Sequence, residues 1–247
     1  MIKKFVKSII YREKSSSEKY IKFLRDKGVT IGNDCIFYSP KDSFVDIQYP
    51  WMIKIGNHVR ITSGVKIITH DFSWSVLKLY SNEKIKSGSI LGASGKIVIG
   101  DNVFIGINSI ITRNVNIGNN VIIGAGSVVT KDCLSNGVYA GNPAKFLMTI
   151  DDFYKKRQEL QLKEGKKLAI EYYRKFKNIP PKYIFNEYFL LFEENKDIEE
   201  NKDFMSQVNL CGNGNETLKN NKMTERIFDN YESFIKYCFS EEGKEKK

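Results

Sequence analysis

The sequence predicts a mainly β fold: a parallel β-helix of hexapeptide repeats, preceded by a helical segment and followed by an α-helical extension. Three observations predict it. Between Ile97 and Lys131 every sixth residue is a β-branched aliphatic: Ile99, Ile105, Ile111, Ile117, Ile123 and Val129. An earlier tract repeats the period with Ile55, Ile61 and Ile67. After each ladder residue comes Gly or a small or polar residue, then a polar pair rich in Asn and Asp.

A period of six suits neither an amphipathic helix, with its period near 3.6, nor a strand meander with variable turns. It suits a short extended side followed by a corner. β-Branched residues favour extended backbone, while Gly and Asn tolerate the positive φ that corners require. Three sides close one triangular coil, so residues eighteen apart should stack: Ile99 on Ile117, Ile105 on Ile123, Ile111 on Val129. Coils then lie about 4.8 Å apart, the ordinary strand spacing, and the solenoid buries a continuous aliphatic ladder.

The elements follow in chain order. Residues 1–28 read as a helical segment anchored by Phe5, Ile9, Tyr20, Phe23 and Leu24, ending at Gly28. Residues 29–150 hold the β-helix, opened by an isolated copy at Val29–Asp34. Its two tracts are out of phase, because counting by sixes from Ile67 reaches Ile97 rather than Ile99. The stretch 71–94, rich in Ser, Gly and aromatics, is the excursion that accounts for the shift, and long loops on a rigid solenoid are usually functional. Residues 151–247 form a helical extension, broken at Pro180–Pro181 and resuming in YIFNEYFLLF. Within it, the Asn/Lys/Glu-rich stretch 193–222 reads as a flexible linker before a last helix over 223–240.

Composition narrows the function classes. The formal charge of +10 sits in the first half: +6 in residues 1–28, +4 in 29–147 and zero in 148–247. The excess could attract nucleic acid, an anionic membrane face or an anionic small molecule. No helix-turn-helix, zinc-finger or aromatic-interleaved basic patch appears, so a phosphorylated small ligand is favoured over nucleic acid. No apolar run approaches the ~20 residues of a membrane span. The basic start is too broken for a signal peptide, which points to the cytoplasm. Cys35, Cys133, Cys211 and Cys238 lie far apart without metal-ligand spacing and read as idle reduced thiols.

The chain has two histidines. His58, in IGNHV, occupies the slot of Asn102 in IGDNV and Asn120 in IGNNV, and reads as a corner residue. His70 breaks the corner pattern and opens the excursion. Trp51 and Trp74 stand on either side of it in sequence and could stack on a sugar ring or simply pack loops onto the coil. Two histidines are one too few for the three-histidine zinc carbonic anhydrases built on such coils.

At this point the chain resembles the left-handed β-helix hexapeptide acyltransferases, in the sugar and polysaccharide O-acetyltransferase branch that includes maltose and galactoside acetyltransferases. The resemblance covers roughly residues 29–150. It rests on the hexapeptides, ITHDFSW around His70, IGDNVFIGINSII, IGAGSVVTKD and the closing AGNPAKFL. DDFYKKR resembles the tail of capsule-type members. Left-handedness comes from the resemblance alone, since the general crossover preference is right-handed.

The resemblance implies that His70 is the catalytic base. It implies that acetyl-CoA is the co-substrate, with no metal, and that Phe104, Ile107, Ala125, Thr130, Lys131 and Lys145 line the coenzyme groove. Phe104 replaces a frequent Trp, Ile107 a Ser, Asn114 a Gly, and Met148 a second basic residue. Asp71 is the first candidate to orient His70, unless it merely caps the loop; Asp46, before Tyr49–Pro50–Trp51, is a weaker one. A homotrimer with active sites between subunits and a saccharide acceptor are also implied. The rival readings are N-acetylation of an amino sugar and a non-catalytic trimeric binding or structural protein, because the scaffold alone does not decide chemistry.

Overall fold

The computed structural model describes residues 11–223 and 226–240, so the anchors Phe5 and Ile9 lie outside the described residues. The chain divides into two compact units between Phe153 and Tyr154.

The first unit is a three-walled parallel coil. The first sheet stacks Thr30–Ile31, Ile53–Ile55, Ile97–Ile99 and Val115–Ile117. A second sheet stacks Ile36–Phe37, Arg60–Ile61, Val103–Ile105, Val121–Ile123 and Gly137–Ala140, and is finished by the antiparallel strand Lys145–Thr149. The third stacks Phe44–Val45, Lys66–Ile67, Ile110–Ile111 and Val128–Val129. Ile99 pairs with Ile117, Ile105 with Ile123 and Ile111 with Val129, the eighteen-residue register that the period predicts. All nine ladder residues are at most 1% exposed.

Each wall also turns a second side chain inward, two positions before the ladder residue, a row the six-step pattern alone does not single out. Ile53, Val59, Val65, Ile97, Val103, Val115 and Val121 fill these slots and are likewise buried. Ser109 and Ser127 occupy two of them, and both donate their buried hydroxyls to the Gly124 carbonyl, at 2.9 and 2.6 Å. Such a core has little room to collapse around a hole. Ile105→Ala should therefore lower unfolding free energy by about 2–5 kcal/mol, measured by guanidinium titration at fixed protein concentration.

Corner chemistry follows the sequence. Asp34, His58, Asn102, Asn120 and Asn136 share one corner column, with φ of 51°, 53°, 55°, 55° and 61°. Asn102 Nδ2 donates to Asn120 Oδ1 at 2.9 Å and Asn120 Nδ2 to Asn136 Oδ1 at 2.8 Å, tying neighbouring coils. His58 stands in this column with Nδ1 2.6 Å from Asp34 Oδ2. Its side chain serves the corner. Gly56 is needed for a different reason: a Cβ there would lie 2.6 Å from the Gly100 carbonyl oxygen of the next coil.

The six-residue step of the ladder is broken in several places, and two of these interruptions matter for the site. Ile55 pairs with Ile99, 44 positions on, so 26 residues beyond the eighteen of one coil leave the prism. The neck of this excursion is an antiparallel pair, His70–Asp71 with Ala93–Ser94. The smaller interruption lies between Val45 and Ile55, ten residues apart where the ordinary step is six, and contains the 3-10 turn Pro50–Met52.

Helix α1 (Ser17–Lys27) precedes the coil, with the Ser16 side chain capping Lys19 N–H and Gly28 (φ 107°) ending it. Its Tyr20, Ile21 and Leu24 join the same core as Val29, Ile31 and Phe37. Within the excursion, α2 (Trp74–Leu79) buries none of its residues.

The second unit is helical. It follows from α3 (Ile150–Phe176) through α4 (Asn195–Glu200), α5 (Lys202–Val208), α6 (Gly214–Met223) and α7 (Tyr231–Phe239). Phe185, Phe189, Phe192, Phe204 and Phe234 form its core, with Ala169, Ile198 and Val208. Two expectations are corrected here. The stretch 193–222 is three short helices rather than a linker, because Ile198, Phe204 and Val208 are each at most 3% exposed despite the polar composition around them. YIFNEYFLLF forms two 3-10 turns, Lys182–Phe185 and Phe189–Leu191, rather than one helix. Phe185, Phe189 and Phe192 keep the i, i+4, i+7 spacing of a helical face, which is why the stretch reads as helix, while Leu191 is buried off that face.

Candidate active site

His70 stands at the third sheet's trailing edge, three residues after ladder residue Ile67, where the chain turns out into the excursion. In the adjacent coil, Val45 pairs with Ile67, and Asp46 comes next. Stacking thus places a carboxylate beside an imidazole 24 residues away in sequence. His70 Nδ1 lies 2.5 Å from Asp46 Oδ2.

Asp46 is 2% exposed and fully engaged. Its Oδ2 also accepts from Thr69 N–H at 3.1 Å and Thr69 Oγ1 at 2.5 Å, and Oδ1 accepts from Gln48 N–H at 2.9 Å. Burial alone would raise this carboxyl's pKa. The hydrogen bonds from Thr69, Gln48 and His70 outweigh it and hold the group below the ordinary carboxylate range. An ionised Asp46 fixes the neutral tautomer with the proton on Nδ1 and the lone pair on Nε2. Among the described residues nothing bonds to Nε2, and the ring keeps 28% of its surface exposed. Tyr49 braces it edge-on, 5.6 Å between centroids, and Trp51 packs on Tyr49 at 5.7 Å while itself 67% exposed.

The ranking of the two acids is therefore reversed. Asp71 lies beside His70 on the same extended strand, where successive side chains point to opposite faces. Its Oδ1 accepts from Ser73 N–H and Oγ, and its Oδ2 from Arg113 Nε at 3.1 Å. Asp71 caps the loop; Asp46 holds the imidazole.

The remaining candidates fall in three places. Thr130 and Lys131 follow Val129 on the His70 edge, and both are exposed. Ile107 and Ala125 stack at the preceding corner, where Gly126 N–H donates to the Ile107 carbonyl at 2.7 Å. Lys145 opens the antiparallel strand opposite Ala140, whose Cβ faces Gly124 at that same corner. The amides of Ile107 and Ala125 find no acceptor among the described residues. Phe104 stands apart, in the middle of the second sheet between Arg60 and Ile122, beside a shallow groove of about 360 Å³ that His58 and Ile150 also line. Met148 pairs with Val138 on that sheet's last strand. Trp74 opens α2 and packs on Phe72 at 4.5 Å. Within one chain the His70 edge and the Ile107–Ala125–Lys145 edge are separated by the width of the third sheet.

Tyr49, Thr69 and Arg113 have no role in the sequence-based picture. Thr69 left no signal in the sequence: its slot two steps after the ladder residue holds Arg113 and Lys131 in the neighbouring coils, and only the structure shows it buried, at 0% exposure.

Residues 96–131 match the bacterial transferase hexapeptide, six repeats. Protein CapG of Staphylococcus aureus is 49% identical over 131 residues, covering 53% of this chain and 71% of that protein. The chain belongs to the hexapeptide-repeat transferase family. Its prism is a parallel β-helix of hexapeptide repeats. Among solved structures, a maltose O-acetyltransferase from Clostridium difficile 630 is 30% identical, covering 53% of this chain and 75% of that one, with a TM-score of 0.37. A hexapeptide-repeat acetyltransferase from Vibrio cholerae is 20% identical, covering 60% and 89%, with a TM-score of 0.43. No helix among the described residues is long and apolar enough to cross a membrane.

Proposed function

We propose that this transferase moves an acetyl group from acetyl-CoA to a hydroxyl of a saccharide, with His70 as general base. One observation carries the reading: an imidazole held at Nδ1 by a buried, ionised Asp46, with Nε2 open at the edge of the prism. Nε2 takes the hydroxyl proton as the sugar oxygen attacks the thioester carbonyl, and Asp46 stabilises the imidazolium that forms. Backbone N–H groups of Ile107 and Ala125 are the donors available for the developing oxyanion. When the tetrahedral intermediate collapses, the C–S bond breaks and His70 returns its proton to the thiolate. No covalent enzyme intermediate is needed; juxtaposition of two substrates in one groove supplies much of the rate.

Lys131 and Lys145 are exposed and suited to the coenzyme's phosphates. Thr130, Ile107, Ala125 and Phe104 line the rest of its path in this reading, while Trp51 and Trp74 offer faces to the sugar. The width of the third sheet between the two edges supports a homotrimer, in which the His70 edge of one copy meets the Ile107–Ala125–Lys145 edge of the next.

The test is thiol release from acetyl-CoA with glucose, galactose, maltose, N-acetylglucosamine and glucosamine as acceptors. Release with a sugar that has only hydroxyls, giving a hydroxylamine-labile ester, is the expected result. Release with glucosamine alone would move the assignment to N-acetylation. No release and no acetyl-CoA binding would end it.

A further inference from the structure

Arg113 occupies a position that the proposed chemistry leaves idle. It follows ladder residue Ile111 by two, the slot held by Thr69 and Lys131 in the neighbouring coils. Its Nε donates to Asp71 Oδ2 at 3.1 Å, while Asp71 Oδ1 takes both the N–H and the hydroxyl of Ser73, at 3.0 and 2.5 Å. One carboxylate is thus shared between the rigid prism and the first turn of the excursion. The bonds from Ser73, then Arg113, hold its pKa down to about 2, so it stays charged at any working pH.

This carboxylate sits one residue after His70 and one before Phe72, whose ring is 66% exposed and packs on Trp74. Little else holds the excursion. Its neck is a single two-residue pair, and Val76, Leu79 and Ile90 are 69%, 83% and 62% exposed. Segments with so few buried contacts open readily.

We infer that Arg113 is a positioning residue: by gripping Asp71 it fixes the Phe72–Trp74 ring pair beside His70 and so sets affinity for the saccharide acceptor. The inference rests on the acceptor site proposed above. An ion pair whose partners are 39% and 40% exposed adds little to global stability, so its work should appear in acceptor binding instead.

The experiment compares Arg113→Met and Arg113→Lys in the full chain. For acrylamide quenching alone, a Trp51→Phe background leaves Trp74 as the sole tryptophan, while the kinetics are read with Trp51 in place. Arg113→Met should make Trp74 markedly more quenchable and raise KM for the sugar accepted in the panel roughly tenfold, with kcat, KM for acetyl-CoA and melting temperature little changed. Arg113→Lys, which keeps the charge, should regain most of the lost affinity. Unchanged quenching with unchanged sugar KM would overturn the inference, as would an equal rise in both KM values. If no sugar in the panel serves and acetyl-CoA does not bind, the functional reading fails on its own, and quenching of Trp74 still decides whether Arg113 orders the excursion.

Discussion

His70→Ala is expected to lower kcat by about 100-fold or more while coenzyme A binding and the melting temperature stay near the native values. The imidazole is part-exposed at an edge, outside the aliphatic ladder, so its removal leaves no core cavity. Its one strong partner, Asp46, retains three other hydrogen bonds. Stopped assays of thiol release, with coenzyme A titrated separately, distinguish lost chemistry from lost binding. Native turnover in this variant would remove His70 from the mechanism.

Asp46→Asn should be nearly as damaging, by a different route. The amide matches the carboxylate in shape, but only one of its oxygens remains to accept. Oδ2 of Asp46 now meets three donors, Thr69 N–H, Thr69 Oγ1 and His70 Nδ1, and Oδ1 meets Gln48 N–H. Either orientation of the amide turns an NH₂ toward a donor, leaving a buried group unsatisfied at a cost of about 1–3 kcal/mol. The imidazolium also loses its counter-charge and the tautomer its fixed proton. A kcat loss of about 10²–10⁴ with little change in KM for acetyl-CoA is the expected outcome. The same group leaves a trace in stability. Its folded pKa lies below the unfolded value, so its contribution is complete above the unfolded pKa of about 3.9 and is lost as pH falls through the folded one. Urea midpoints below about pH 4 should consequently fall more steeply for the native chain than for Asp46→Asn.

The ladder was legible because its physics is local and repeated. Each hexapeptide states its own side and corner, and residues such as Ile99 and Ile117 stack because both obey one period. His70 was legible as a break in that period. Its partner was not. The contact between Asp46 and His70 depends on how a ten-residue step between Val45 and Ile55 is absorbed in three dimensions, which no period reports. Asp71 was the attractive choice because it is adjacent, yet adjacency on a strand sends the two side chains to opposite faces. In the helical unit, the Asn, Lys and Glu residues of 193–222 hid the three apolar side chains that organise it. Composition averages over a segment, whereas a core needs only a few residues aimed inward.

In the proposed trimer, one catalytic site takes His70 and Asp46 from one copy and the coenzyme-lining edge from its neighbour. Co-expression of two inactive chains tests it directly: His70→Ala, and Ala125→Trp to fill the coenzyme groove. Each alone should be nearly silent, whereas randomly mixed trimers should recover about a quarter of native thiol release, because a quarter of the interfaces pair an intact His70 with an intact groove. Mixed trimers that form yet stay as inactive as either parent would contradict it, placing base and groove within a single chain or removing one of them from the site.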